Sequence, residues 1–200
     1  NPSLVGSEMC IRDRPLSMEG SSVFIAIASV FTTLVLSAFY SGMEIAFVSS
    51  NRLKIELDKK LGLYQGKVYS YFHKNQSKFI STLLLGNNIS LVVYGIFMAN
   101  LLEGPLLALL GTIPNQVTVS VLLLLVQTVI STAVILIFAE FLPKILFRIN
   151  PNKKLEIFTV PVLVLCAPLY VFVLAVFELM GYFLSLFSVQ VEEREYVLGR

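Results

Sequence analysis

Four long apolar stretches separated by short polar or basic ones set the pattern of this chain. They run from Ser22 to about Ser49, from Phe79 to about Leu102, from Val117 to Ala139 and from Leu155 to Phe187. A helix needs about 20 predominantly apolar residues to cross a bilayer, so the first three read as membrane-spanning helices. The fourth is longer than one crossing requires and carries Pro161, Pro168, Glu178 and Gly181. It fits a broken, partly re-entrant or interfacial pair of helices as well as a fourth span.

The polar intervals differ in kind. Asn51 to Lys78 is amphipathic: Leu53, Ile55, Leu57, Leu61 and Leu63 are set among Arg52, Lys54, Glu56, Asp58, Lys59 and Lys60. This predicts a helix lying along a membrane face, capped by Asn51 and punctuated by Gly62 and Gly66. Tyr64, Tyr69, Tyr71 and Phe72 beside lysines suit the headgroup layer. Glu103-Gly-Pro105 through Pro114-Asn115 reads as a connection, with Leu106 to Leu110 dipping into the interface.

Composition agrees with the pattern. Of 200 residues, 56% are hydrophobic and 14% charged, and mean hydropathy is +0.80. Soluble domains carry about 25% charged residues. The expected fold class is therefore an all-α integral membrane protein. Net charge is only +2, but basic residues cluster at Arg52–Lys78 and Lys144–Lys154, while the interval from Leu102 to Gln116 has none. By the positive-inside rule the two clusters are cytoplasmic and that interval is outside. Because the clusters flank apolar spans, the partner they imply is a lipid bilayer, and no nucleic acid is expected.

Residues 1–20 lack apolar periodicity and the layout of a signal peptide, and read as a cloning or gene-model remnant. Residues 21–189 form the membrane domain, and 190–200 would begin a cytosolic linker. Cys10 and Cys166 show no metal-ligand spacing, and Cys166 reads as an inert buried thiol. The single histidine, His73, reads as a solvated or interfacial residue. No Ser–His or His–Glu motif lies in a span, so no enzyme is expected.

Chemistry concentrates at three places. Phe39-Tyr-Ser-Gly-Met-Glu-Ile-Ala46 closes the first span, and Ser37, Ser41 and Glu44 share one helical face. Gly42 suits close helix contact or a local break. Gly86-Asn87-Asn88 interrupts the second apolar run, with Ser90 three residues after Asn87. Glu140-Phe-Leu-Pro143-Lys144 closes the third, where Glu140 and Lys144 are four apart and Pro143 removes a hydrogen bond that can expose the Ala139 carbonyl. Hydroxyl, amide and carboxylate oxygens inside apolar runs need partners or an ion, and Asn oxygens are good hard-cation ligands. A further polar group in the third span, Gln127, Thr128, Ser131 and Thr132, would face neighbouring helices.

Ser41-Gly-Met-Glu44-Ile-Ala46, then Leu85-Gly-Asn87, then Glu140-Phe-Leu-Pro143-Lys144, in this order at span ends, resemble the transmembrane domain of the CorC and cyclin M (CNNM) magnesium transporters. The resemblance covers residues 22 to 189. It implies three transmembrane helices with the N-terminus outside, juxtamembrane belt helices at Asn51–Lys78 and Leu155–Phe187, a homodimer, and the protein's own cytosolic CBS domains beyond this chain. It also implies a multi-pass protein of the bacterial inner membrane that moves Mg2+, with Na+ as the coupling ion. The metal site it implies comprises Ser37, Ser41, Glu44, Asn87 and Glu140, with Gly86 through its backbone and Asn88, Ser90 and Lys144 as further candidates. Two positions depart from the family pattern: Leu91 replaces a second Asn, and Ala139 replaces a Gly. The alternative expectation is a regulatory or assembly membrane protein that keeps the fold without moving ions.

Overall fold

A computed structural model of the chain describes residues 20–110 and 116–186. The remnant expected at 1–20, Gly20 apart, the tip of the connection at 111–115 and the linker at 190–200 lie outside the described residues. Among the described residues all regular structure is helical: α1 (Gly20–Val48), α2 (Arg52–Lys60), α3 (Tyr64–Lys74), α4 (Gln76–Leu110), α5 (Gln116–Val134), a π-helical segment (Ile135–Phe141), α6 (Leu142–Ile149) and α7 (Pro151–Leu186). Four stretches are long and apolar enough to cross a membrane: Val23–Val48, Gln76–Leu109, Val117–Ile149 and Pro151–Phe183.

The α1–α2 corner forms as expected from Asn51, whose side chain accepts the N–H groups of Leu53 and Lys54. The single surface helix expected over Asn51–Lys78 is instead a helical pair. Gly62 has φ of 80°, a conformation that costs glycine little, and it reverses the chain between α2 and α3. Gly66 breaks nothing; it lies inside α3 against the backbone of Asp58 and Lys59.

Two apolar runs are more continuous than their sequences suggest. Gly86-Asn87-Asn88 interrupts the hydropathy of α4 but not its helix, and α4 also runs through Pro105 into the region expected to be a connection. α7 is likewise one helix rather than a broken pair. Pro161 and Pro168 are both exposed on it, so the carbonyls that lose a donor need not be buried in packed protein.

The third span continues past Ala139 to Ile149 through the π-helical segment. The Leu142 N–H reaches back five residues to the Ile137 carbonyl, and Pro143, which follows at once, has no N–H to offer. The ring therefore coincides with a local widening of the helix rather than its end.

Packing is uneven. The buried apolar cluster comprises Tyr40, Met43, Ala46 and Phe47 of α1, Ile55 of α2, Tyr69 and Phe72 of α3, Phe79 and Leu83 of α4, and Leu155, Val162 and Cys166 of α7. All of it lies where the second half of α1 meets α2, α3 and the starts of α4 and α7. Phe72 and Phe79 stack at 4.1 Å, and the Tyr69 hydroxyl donates to the Leu155 carbonyl at 2.9 Å. Burial pushes the Tyr69 phenol well above its usual range, so it remains a donor. By contrast α5 buries none of its described residues.

Candidate functional site

The site is built where α1 is pressed against its neighbours on two sides. A Cβ added to Gly42 would lie 2.6 Å from the Phe147 ring of α6, and one added to Gly86 would lie 2.5 Å from the Tyr40 ring of α1. Two glycines thus let α1 approach α6 and α4 more closely than any other residue would. Gly42 makes close contact, and α1 does not break there. Gly86 serves packing, and its carbonyl accepts the Ser90 hydroxyl at 2.9 Å.

Ser37, Ser41 and Glu44 share a face of α1, as their spacing requires. Ser37 is fully buried and donates its hydroxyl hydrogen to Asn87 Oδ1 of α4 at 2.5 Å. An amide oxygen has two acceptor sites, so Asn87 retains one. Ser41 is also buried, and its Oγ has no hydrogen-bond partner among the described residues.

That orphan is unusual for this chain. Thr33, Thr82, Ser90 and Thr159, also buried, each donate to the carbonyl four residues back, the common way for a hydroxyl to satisfy itself in a membrane helix. Ser37 reaches across to another helix, and Ser41 does neither.

Glu44 lies within electrostatic reach of both Glu140 and Lys144, so the first and third motifs meet. Glu140, on the π-helical segment, is 3.8 Å from the Lys144 ammonium, a long and partly exposed pair that is worth little on its own. Ala139 beside it is fully buried, so the residue that replaces the family's glycine is accommodated. Of the further candidates, Lys144 is at the site, Ser90 donates its hydrogen to the Gly86 carbonyl and keeps its lone pairs, and Asn88 is exposed on α4. Leu91 is half-buried there.

Among the described residues no three His, Cys, Asp or Glu side chains form a metal-binding group. A cation here would therefore take two carboxylates at most, with the remaining oxygens from serine, asparagine, backbone or water. That donor set is hard, and suits magnesium or calcium rather than zinc or copper.

The sequence reading did not anticipate Tyr40 or the π-helical turn. Tyr40 covers Gly86 and its hydroxyl contacts the Leu165 carbonyl at 3.4 Å. The π turn had a sequence signal in Pro143, but widening and ending are alternatives that a proline alone does not separate. His73, expected to be solvated or interfacial, is half-buried and stacked on Phe47 at 4.4 Å.

The chain resembles known membrane proteins along most of its length. It is 31% identical over 143 residues to UPF0053 protein MG146 of Mycoplasma genitalium, covering 70% of this chain and 31% of that protein. It is 29% identical over 118 residues to the UPF0053 inner membrane protein YfjD of Escherichia coli, covering 59% of this chain and 24% of that protein. The chain thus spans about a third or less of the length of these relatives. The model of the cyclin M transmembrane N-terminal domain matches residues 27–198. With the three motifs gathered on α1, α4 and the π-helical segment, this chain belongs to the cyclin M transmembrane domain family.

Proposed function

We propose that this domain carries magnesium across the bacterial inner membrane through a site formed by Ser37, Ser41, Glu44, Asn87 and Glu140. The observation that carries this reading is the buried, unpartnered hydroxyl of Ser41, beside a face where Ser37 and Asn87 are already joined. An unsatisfied polar atom in an apolar interior costs about 1–3 kcal/mol, and a cation ligated there would engage its lone pairs and offset part of that cost. Glu44 and Glu140 supply the charge that offsets dehydration of a divalent ion, and water would complete its shell. Lys144 acts as a tethered counter-ion to Glu140 when no metal is bound, and yields to the incoming ion.

In this reading α1, α4 and α5 with its π-helical and α6 continuation are the crossings, and α7 is a belt helix. Partners of α7 support it: Tyr69 and Phe72 of α3, Phe39 and Tyr40 of α1, and Phe147 of α6. All lie in the half of the bundle that α2 and α3 close. The homodimer, sodium coupling and cytosolic CBS domains complete the proposal on the strength of the family.

Leu91 favours a second reading, a non-transporting regulatory protein, because an apolar side chain stands one turn after Asn87 where the family carries an amide. One titration series separates the two. Calorimetry with magnesium on the chain in nanodiscs should show binding that Glu140→Gln weakens at least tenfold and Asn87→Ala weakens less. Leu91→Asn should leave affinity unchanged or raise it. Parent-like binding by Glu140→Gln would sink the transport site as drawn.

A further inference from the structure

A second polar concavity lies away from this site, between α2 and α3. It has a volume of about 190 Å3 and is lined by Arg52, Ile55, Glu56, Lys59, Ser70, His73 and Lys74. In liquid a water takes about 30 Å3, so the space admits a group of several heavy atoms. Three cations and one carboxylate face it.

The cations are not neutralised within the fold. Arg52 donates through Nη2 to Gln76 Oε1 at 2.5 Å, and the Lys59 ammonium donates to the Ser70 hydroxyl at 3.1 Å. Both acceptors are neutral, and among the described residues none of Arg52, Lys59 and Lys74 forms an ion pair. Such acceptors hold the side chains in place and leave their charge available.

His73 forms part of the same wall. Its Nδ1 is buried without a hydrogen-bond partner, while Nε2 lies 3.4 Å from the Ser50 hydroxyl. Burial, and then the nearby Arg52 charge, hold its pKa below the usual histidine range, so the ring is neutral when the pocket holds only protein charges.

We propose that the α2–α3 pocket binds a phosphate-bearing anion, with Arg52, Lys59 and Lys74 contacting its oxygens and His73 at its wall. Arg and Lys on a concave surface are the side chains that phosphate recognition uses. The same phosphate chemistry is offered by a free phosphate compound and by an anionic lipid headgroup. The pocket's position, at the end of α1 and the start of α4, gives either source access.

The test uses the full chain, titrated by calorimetry with inorganic phosphate in detergent. Saturable binding is expected, weakened at least tenfold when Arg52→Gln and Lys74→Gln are combined. Both positions are exposed, and if that variant does not fold, Lys59→Gln carries the same test. Lys54→Gln combined with Lys60→Gln removes equal charge from α2 outside the pocket and should change binding less than threefold. Nanodiscs of phosphatidylcholine with and without phosphatidylglycerol then separate the sources. A headgroup site predicts that phosphatidylglycerol raises the Tm of the parent but not of the Arg52–Lys74 variant. A soluble-ligand site predicts the same phosphate affinity in both lipids. Equal losses in the two double variants, or saturable binding of neither phosphate nor phosphatidylglycerol, would overturn the assignment.

Discussion

Two helices of this molecule carry hydroxyls in apolar runs and use them in opposite ways. On α5, Thr128 and Thr132 are exposed, and Thr128 donates to the Leu124 carbonyl in its own helix at 2.6 Å. Within one chain the expectation that this polar group faces neighbouring helices is met only in part: Gln127 and Ser131 are half-buried, and a hydroxyl satisfied within its helix can be left on the outside. On α1, Ser37 and Ser41 are buried, and neither bonds its own helix: one crosses to Asn87 and the other has no partner among the described residues. The lesson is that a polar residue in a membrane run is informative only when its own helix does not satisfy it.

The contrast can be broken most forcibly at the close approaches that bury the α1 face. Gly86→Val drives its added carbons into the Tyr40 ring and should destabilise the chain by about 1–3 kcal/mol, the usual overpacking range. Gly95→Val on the same helix, where an added Cβ meets nothing within 4 Å, should cost far less. Thermal unfolding in one detergent compares them, and equal losses would show that α1 and α4 are not packed as described.

A smaller effect is expected from the interhelical bond. Ser37→Ala should lower stability by about 1 kcal/mol, within the range for hydrogen bonds between membrane helices, because Asn87 Oδ1 loses its donor. Ser37→Thr retains a hydroxyl and should recover part of the loss if the added methyl is accommodated.

The finest test sets Ser41 against Thr128. Ser41→Ala removes a buried hydroxyl that has no partner among the described residues, so stability should rise by about 1 kcal/mol, the low end of the cost of such a group, while magnesium affinity falls. Thr128→Val removes a hydroxyl bonded inside its own exposed helix, and should change neither stability nor affinity by more than about 0.5 kcal/mol. If Ser41→Ala is destabilising by 1 kcal/mol or more, the hydroxyl has a structural partner and is not held for an ion.

Much of this was legible in the residues. The apolar stretches, the cap at Asn51 and the shared face of Ser37, Ser41 and Glu44 follow from local rules of length, capping and helical period, whereas Gly62 reads there only as punctuation, not as a reversal of the chain. The same rules misled where an irregular residue has two outcomes. Pro143 could end a helix or widen it, Pro161 and Pro168 could break one or sit on its surface, and Gly42 could break the helix or admit a ring.

The sequence by itself determined which segments are apolar helices and which oxygens lie on their faces, because burial in lipid and helical spacing act on each segment alone. Only the tertiary structure decided that Ser37 meets Asn87, that Glu44 comes within electrostatic reach of Glu140, and that Ser41 has no partner among the described residues. It also decided that Arg52, Lys59 and Lys74 line one pocket instead of a uniform basic face. These outcomes depend on how closely helices distant in the chain approach one another. That distance is set by the rings of Tyr40 and Phe147 against two glycines, a pairing that no local pattern encodes.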